Sequence, residues 1–171
     1  MFFRSMKVWI AATVLVVLVL AGTAIGVHVT SSTSFCLSCH EMRVHQQELA
    51  LSPHAQDARG HAIECVQCHI PSTNIVRMLS AKTWLGTKDL WVHATTGGSV
   101  TLNRREIQPE ARRFMDDANC RACHEDLYRN AKNDGAISEY GRLAHDNYLD
   151  KNGSSRSGCA GCHRNIAHLP P

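Results

Sequence analysis

Four copies of one pattern, C-x-x-C-H, use all eight cysteines of the chain: Cys36-Leu37-Ser38-Cys39-His40, Cys65-Val66-Gln67-Cys68-His69, Cys120-Arg121-Ala122-Cys123-His124 and Cys159-Ala160-Gly161-Cys162-His163. Two thiols three residues apart on one helical turn can form thioethers to both vinyl groups of a porphyrin, while the adjacent imidazole reaches the iron from below. Structural zinc or a disulfide framework would also use cysteines. Zinc, however, does not need a histidine after every second cysteine, and disulfides need no particular neighbour. Four covalent haem c groups are the expectation.

A haem iron takes a second axial ligand or keeps an open position, so the other donors need an accounting. Outside the motifs stand His28, His45, His54, His61, His93, His145 and His168. His168, close behind the last motif, is placed to reach a neighbouring haem, and His54 follows a stiffening proline in Ser52-Pro53-His54. These two are the first choices for distal ligands, with His61 a rival to His54; His28, His45 and His93 read as ordinary surface histidines. Met42 follows the first motif in Cys39-His40-Glu41-Met42. Local chemistry alone reads it as a packing residue, with His40 on the iron.

These groups need elements to hold them. Val8 to Val27 carries no charged side chain, and at about 1.5 Å per residue it spans about 30 Å, the thickness of a bilayer's hydrocarbon core. Arg4 and Lys7 precede it, which puts the first residues in the cytoplasm and the remainder in the periplasm. A cleaved signal peptide is the competing reading, but the run is long for one and has no clear A-x-A site. The chain therefore divides into an N-terminal transmembrane anchor, residues 1–30, and a periplasmic tetrahaem domain, residues 31–171. With 6% aromatic residues and four porphyrins to enclose, that domain cannot also build a large side-chain core. The expected fold is mainly α with little regular structure, no independent sheet, and the haems as its core. The formal charge of +3 is offset by haem propionates, with arginines as their partners, and no nucleic acid is expected to bind.

Between the second and third motifs, Asn74 to Thr95 reads as an amphipathic helix ended by Gly97-Gly98. Met78, Lys82, Leu85 and Asp89 share one face, and Arg77, Trp84, Lys88 and Trp91 form an opposite stripe suited to a membrane interface. A lysine and an aspartate seven apart are usually just solvated charges. Beside haem, a neutral lysine amine becomes a possible iron ligand and an aspartate a proton acceptor where a quinol is oxidised.

Taken together, the single anchor, the C-x-x-C-H-x-M first motif, Ser-Pro-His before the second, Lys82-(x6)-Asp89 after it and the terminal C-x-x-C-H-(x4)-H resemble the NapC/NirT/NrfH family of membrane-anchored tetrahaem cytochromes. Within that family they are most similar to the branch that forms the small subunit of cytochrome c nitrite reductase. The resemblance implies that Met42 holds haem 1 with His40 displaced, and that Lys82 faces His69 on haem 2. It pairs His124 with His168 on haem 3 and His163 with His54 on haem 4, and sets Asp89 at the open face of haem 1. In one respect, the long segment Glu125 to Gly158 with a helical stretch from Ala136 to Leu149, the chain resembles the NapC branch more; His145 there is an alternative to His168.

The function this implies is quinol oxidation at the inner (cytoplasmic) membrane. Menaquinol is the substrate, drawn from the quinone pool of the lipid bilayer. The acceptor is a periplasmic multihaem reductase, with the catalytic subunit of cytochrome c nitrite reductase (nitrite to ammonia) as first choice and a homo-oligomer possible within the complex. A NapC-like or hub-type donor to nitrate or other reductases is the alternative. A passive wire is a different class, but it needs neither the base nor the open iron that Lys82 and Asp89 suggest. A self-contained terminal reductase would need a catalytic pocket for which too few residues remain.

Overall fold

The computed structural model describes residues 2–98, 103–130, 132, 134–150 and 158–168. Among these the order is α1 (Phe2–Val29), α2 (Thr33–Cys36), a 3-10 turn (His40–Met42), α3 (Arg43–Ala50), α4 (Cys65–His69), α5 (Ile75–Thr96), α6 (Arg104–Phe114), α7 (Asp117–Arg121), α8 (Glu139–Asp150) and α9 (Gly158–Cys162). Only two isolated β-bridges, Gln56 with Ala62 and Arg129 with Ala136, interrupt the helical and irregular backbone of the described residues. The mainly α reading with little regular structure therefore holds.

One helix, Met6–Val29, is long and apolar enough to cross a membrane. Its own backbone absorbs the hydroxyls along it: Thr13 Oγ1 donates to Trp9 O at 2.9 Å and Thr23 Oγ1 to Val19 O at 2.8 Å. Neither hydroxyl is left to face lipid unpaired.

Helix α5 begins where Asn74 Oδ1 accepts from the Val76 and Arg77 amides at 2.8 and 3.2 Å, which satisfies two free donors of its first turn. It ends at Gly97, φ +60°, whose left-handed backbone turns the chain out of the helix. The predicted span and the observed one differ by one residue at each end. Ala81 is buried, whereas Trp84 and Trp91 are 57% and 70% exposed. Lys82 Nζ donates to Ser31 Oγ at 2.7 Å and to Val27 O at 3.4 Å. That contact fixes α5 against the C-terminal end of α1.

The side-chain core is thin. Leu49 and Ala81 are the buried apolar residues, and Glu48, Ser52 and Asn119 the buried polar ones, among the described residues. Part of the segment from Glu125 to Gly158, residues 151–157, lies outside the described residues; the helix predicted from Ala136 to Leu149 forms as α8, Glu139–Asp150.

Candidate haem sites and quinol site

Each C-x-x-C-H motif lies on or beside a helix of four or five residues, and these helices pack in chain order: α2 on α4, α4 on α7, α7 on α9. Specific side chains make each junction. At the first, Thr33 N donates to Glu64 Oε2 at 2.8 Å while Cys65 N donates to Thr33 Oγ1 at 3.1 Å, so each helix caps the other's N-terminus. Cys36 and Cys65 meet here, and the hydrogen bond between their thiols pushes that of Cys36 up. At the second, the buried Asn119 donates to Ile70 O at 2.8 Å and accepts from Ser72 Oγ at 2.8 Å and Ser72 N at 3.3 Å. At the third, Asp117 Oδ1 accepts from Cys159 N at 2.8 Å and its Oδ2 from Tyr148 Oη at 2.9 Å.

Each motif histidine has a second imidazole about 6 Å away, and in three of the four pairs the motif ring is not otherwise bonded among the described residues. His69 faces His168 with ring centroids 5.9 Å apart, His124 faces His54 at 6.1 Å, and His163 faces His145 at 6.0 Å. The rings of His69, His124 and His163 make no hydrogen bond among the described residues. Their partners all do so through Nδ1: His168 to His45 O at 3.1 Å, His54 to Ile166 O at 3.2 Å, and His145 to Leu127 O. A proton committed to a carbonyl from Nδ1 leaves Nε2 as the nitrogen that can bind a metal, the arrangement usual in metal-binding histidines. Burial, with His168 and His45 next to it, pulls His69 down to about 4, and burial with His54 and His163 lowers His124. Both rings are neutral at physiological pH and can bind metal.

The first motif differs. Nε2 of His40, the atom that would reach iron, bonds instead to Gly98 O at 2.6 Å, and the side chain is 58% exposed. Gly98 (φ +74°) approaches so closely that an added Cβ would sit 2.5 Å from His40 Cε1, so any other residue would strain the backbone and displace the ring. His93, one turn past Asp89 on α5, faces His40 at 6.0 Å, with Nδ1 2.8 Å from Glu41 Oε1.

The structure thus brings His168 to His69, and His54 to His124, where the resemblance implies Lys82 for His69, His168 for His124 and His54 for His163. It places His145 opposite His163. Lys82 instead lies at the end of α1, with burial lowering its ammonium from the ordinary lysine value. Asp89 has an accessible edge, yet enough protein surrounds it that burial pushes its carboxyl above the ordinary range, with Lys88 opposing. His61 is 72% exposed and bonded to Asp57, and it meets no motif ring. His45 and His93, read as surface residues from sequence, each stand beside a motif. A cue was present for His93, four residues after Asp89 on the same face; none was present for His45.

The donor set fits haem. Metal–imidazole nitrogen distances of about 2 Å on opposite sides of one iron put ring centroids about 6 Å apart, and all eight cysteines are free thiols. Four attachment helices in series, three facing imidazole pairs and one apolar helix of membrane-spanning length define the class: a tetrahaem c-type cytochrome. The chain belongs to the NapC/NirT cytochrome c family, whose N-terminal-region model matches residues 2–171. It is 30% identical over 152 residues to the tetraheme c-type cytochrome CymA of Shewanella oneidensis, covering 84% of this chain and 79% of that one. To the cytochrome c-type protein NrfH of Wolinella succinogenes it is 29% identical over 161 residues, 93% of this chain and 80% of that one. A crystal structure of the cytochrome c nitrite reductase NrfHA complex bound to the inhibitor HQNO superposes with TM-score 0.56 and 26% identity, over 95% of this chain and 92% of that chain.

Proposed function

We propose that this protein is a membrane-anchored quinol dehydrogenase, held in the inner membrane by residues 1–30 with its tetrahaem domain, residues 31–171, in the periplasm. It takes electrons from menaquinol and passes them to a periplasmic multihaem reductase, the catalytic subunit of cytochrome c nitrite reductase. The carrying observation is Lys82, part-buried on α5 and tied to the end of α1, with the exposed Asp89 two turns further along the same helix. In this reading Asp89, one turn before the His93 that meets His40 and Glu41, stands at the bilayer surface where a quinol from the pool can reach it. Asp89, with its carboxyl raised by burial, suits the proton-acceptor role that quinol oxidation requires. The exposed Trp84 and Trp91 suit the lipid headgroup region.

For the axial ligands we propose Met42 at the first haem, supported by the engagement of His40 Nε2 with Gly98 O. His69 pairs with His168, His124 with His54 and His163 with His145, supported by their separations and Nδ1 anchors. Bound haem c supplies one-electron transfer. The contribution of the chain is to stack the attachment helices in sequence order, so that the quinol end and the reductase end are the two ends of one series. His145 in α8, facing His163, favours a second reading of the partner: a NapC-like donor serving other reductases.

The test is reduction of the purified protein, in lipid, by a water-soluble menaquinol analogue, with dithionite as the control for intact haems. Quinol reduction of all four haems is expected. A protein that dithionite reduces but quinol does not would be a passive wire. Identifying the reductase that co-purifies decides between the two partners.

A further inference from the structure

Glu48 is 6% exposed in a protein with few buried residues of any kind. A buried carboxylate is unfavourable unless something nearby stabilises its charge, and the residues around Glu48 show what it serves. Its Oε2 lies 3.4 Å from Nδ1 of His45 and 3.9 Å from Nδ1 of His168. His168 Nδ1 is also 3.1 Å from the carbonyl oxygen of His45, and the His45 ring packs edge-on against His168 at 5.3 Å. Helix α3 thus presents a carbonyl, an imidazole and a carboxylate to the back of one ring, whose front faces His69 at 5.9 Å.

We infer that Glu48 is a positioning residue for His168: the His45 carbonyl accepts the Nδ1 proton, and the negative charge of Glu48 at 3.9 Å favours that tautomer and makes the imidazole a stronger donor to the second haem. A stronger donor and a nearby negative charge both favour oxidised iron, so Glu48 lowers the potential of that haem relative to the same site without it. His124 and His163 have partners anchored only by neutral backbone carbonyls, so the effect belongs to one haem of the four. The inference rests on the His69–His168 pairing proposed above.

The experiment is a potentiometric titration of the detergent-solubilised holoprotein followed by EPR, comparing wild type, Glu48→Gln, Glu48→Asp and His168→Met. His168→Met is expected to remove one bis-imidazole low-spin signal, which identifies the haem concerned. Glu48→Gln is expected to keep every low-spin signal and raise the potential of that haem alone. The oxidised-to-reduced ratio at fixed potential should change at least tenfold, about 59 mV for one electron. Glu48→Asp, which keeps the charge but draws it back, is expected to lie between wild type and Glu48→Gln. It carries the comparison alone if Glu48→Gln does not accumulate with four haems. No rise in either variant, or an equal rise in all haems, overturns the inference while leaving the pairing intact. Low-spin signals untouched by His168→Met overturn the pairing and the inference with it.

Discussion

At the scale of single residues, the proposed chemistry separates into imidazoles that fix iron and a carboxyl that takes protons. If His168 rather than Lys82 completes the second haem, Lys82→Ala keeps every low-spin EPR signal, whereas His168→Ala converts one low-spin ferric signal to high-spin. The opposite pattern would return Lys82 to the iron. Asp89 gives a pH prediction. Its folded-state pKa is raised by burial, so the ionised form that can accept a proton is lost as pH falls through a value above the ordinary carboxylate, about 4. The rate of haem reduction by quinol should therefore decline on the acid side beginning above that value, and stopped-flow rates across pH should show the decline in wild type and not in Asp89→Asn. The four motifs were legible in the sequence because their spacing is local. Which histidine meets which motif was not, since His54 reaches His124 and His168 reaches His69 across long stretches of chain, and spacing carries no signal for such contacts.

At the scale of elements, short attachment helices too small to be stable alone are joined by side chains at their ends. Asn119 is the clearest case, a buried amide that bridges Ile70 and Ser72 to α7. Asn119→Ala removes those bonds and leaves buried backbone unpaired, so it should cost about 1–3 kcal/mol, read as a lowered denaturation midpoint in the haem-loaded protein. Asn119→Asp keeps the acceptor and is expected to cost less. Gly98→Ala tests the closure over the first motif: its methyl would collide with His40, and a change confined to the spectrum of the first haem is expected. An unaltered spectrum would mean the loop simply moves aside. Helix α5 was readable to within one residue because Asn74 and Gly97 are strong end signals. The junction residues Thr33, Glu64, Asn119 and Asp117 were not, because a polar residue in a short helix looks like any solvated one until its partner is known.

At the scale of the whole molecule, an apolar helix, a surface helix tied to its end and a series of four attachment sites form one route from the membrane outward. The anchor and the haem count were legible from composition and motif alone, and the order of the sites follows the order of the chain. What composition could not give was the contact of Lys82 with Ser31 and Val27, on which the proposed position of the quinol end rests. The most direct measurement of the central claim is the rate at which a menaquinol analogue reduces wild type and Asp89→Asn, each in lipid and each fully reducible by dithionite. With Asp89 as the main proton acceptor, the variant should be slower by about 100-fold or more, with its haem spectra unchanged. Equal rates would contradict the placement of quinol oxidation at Asp89.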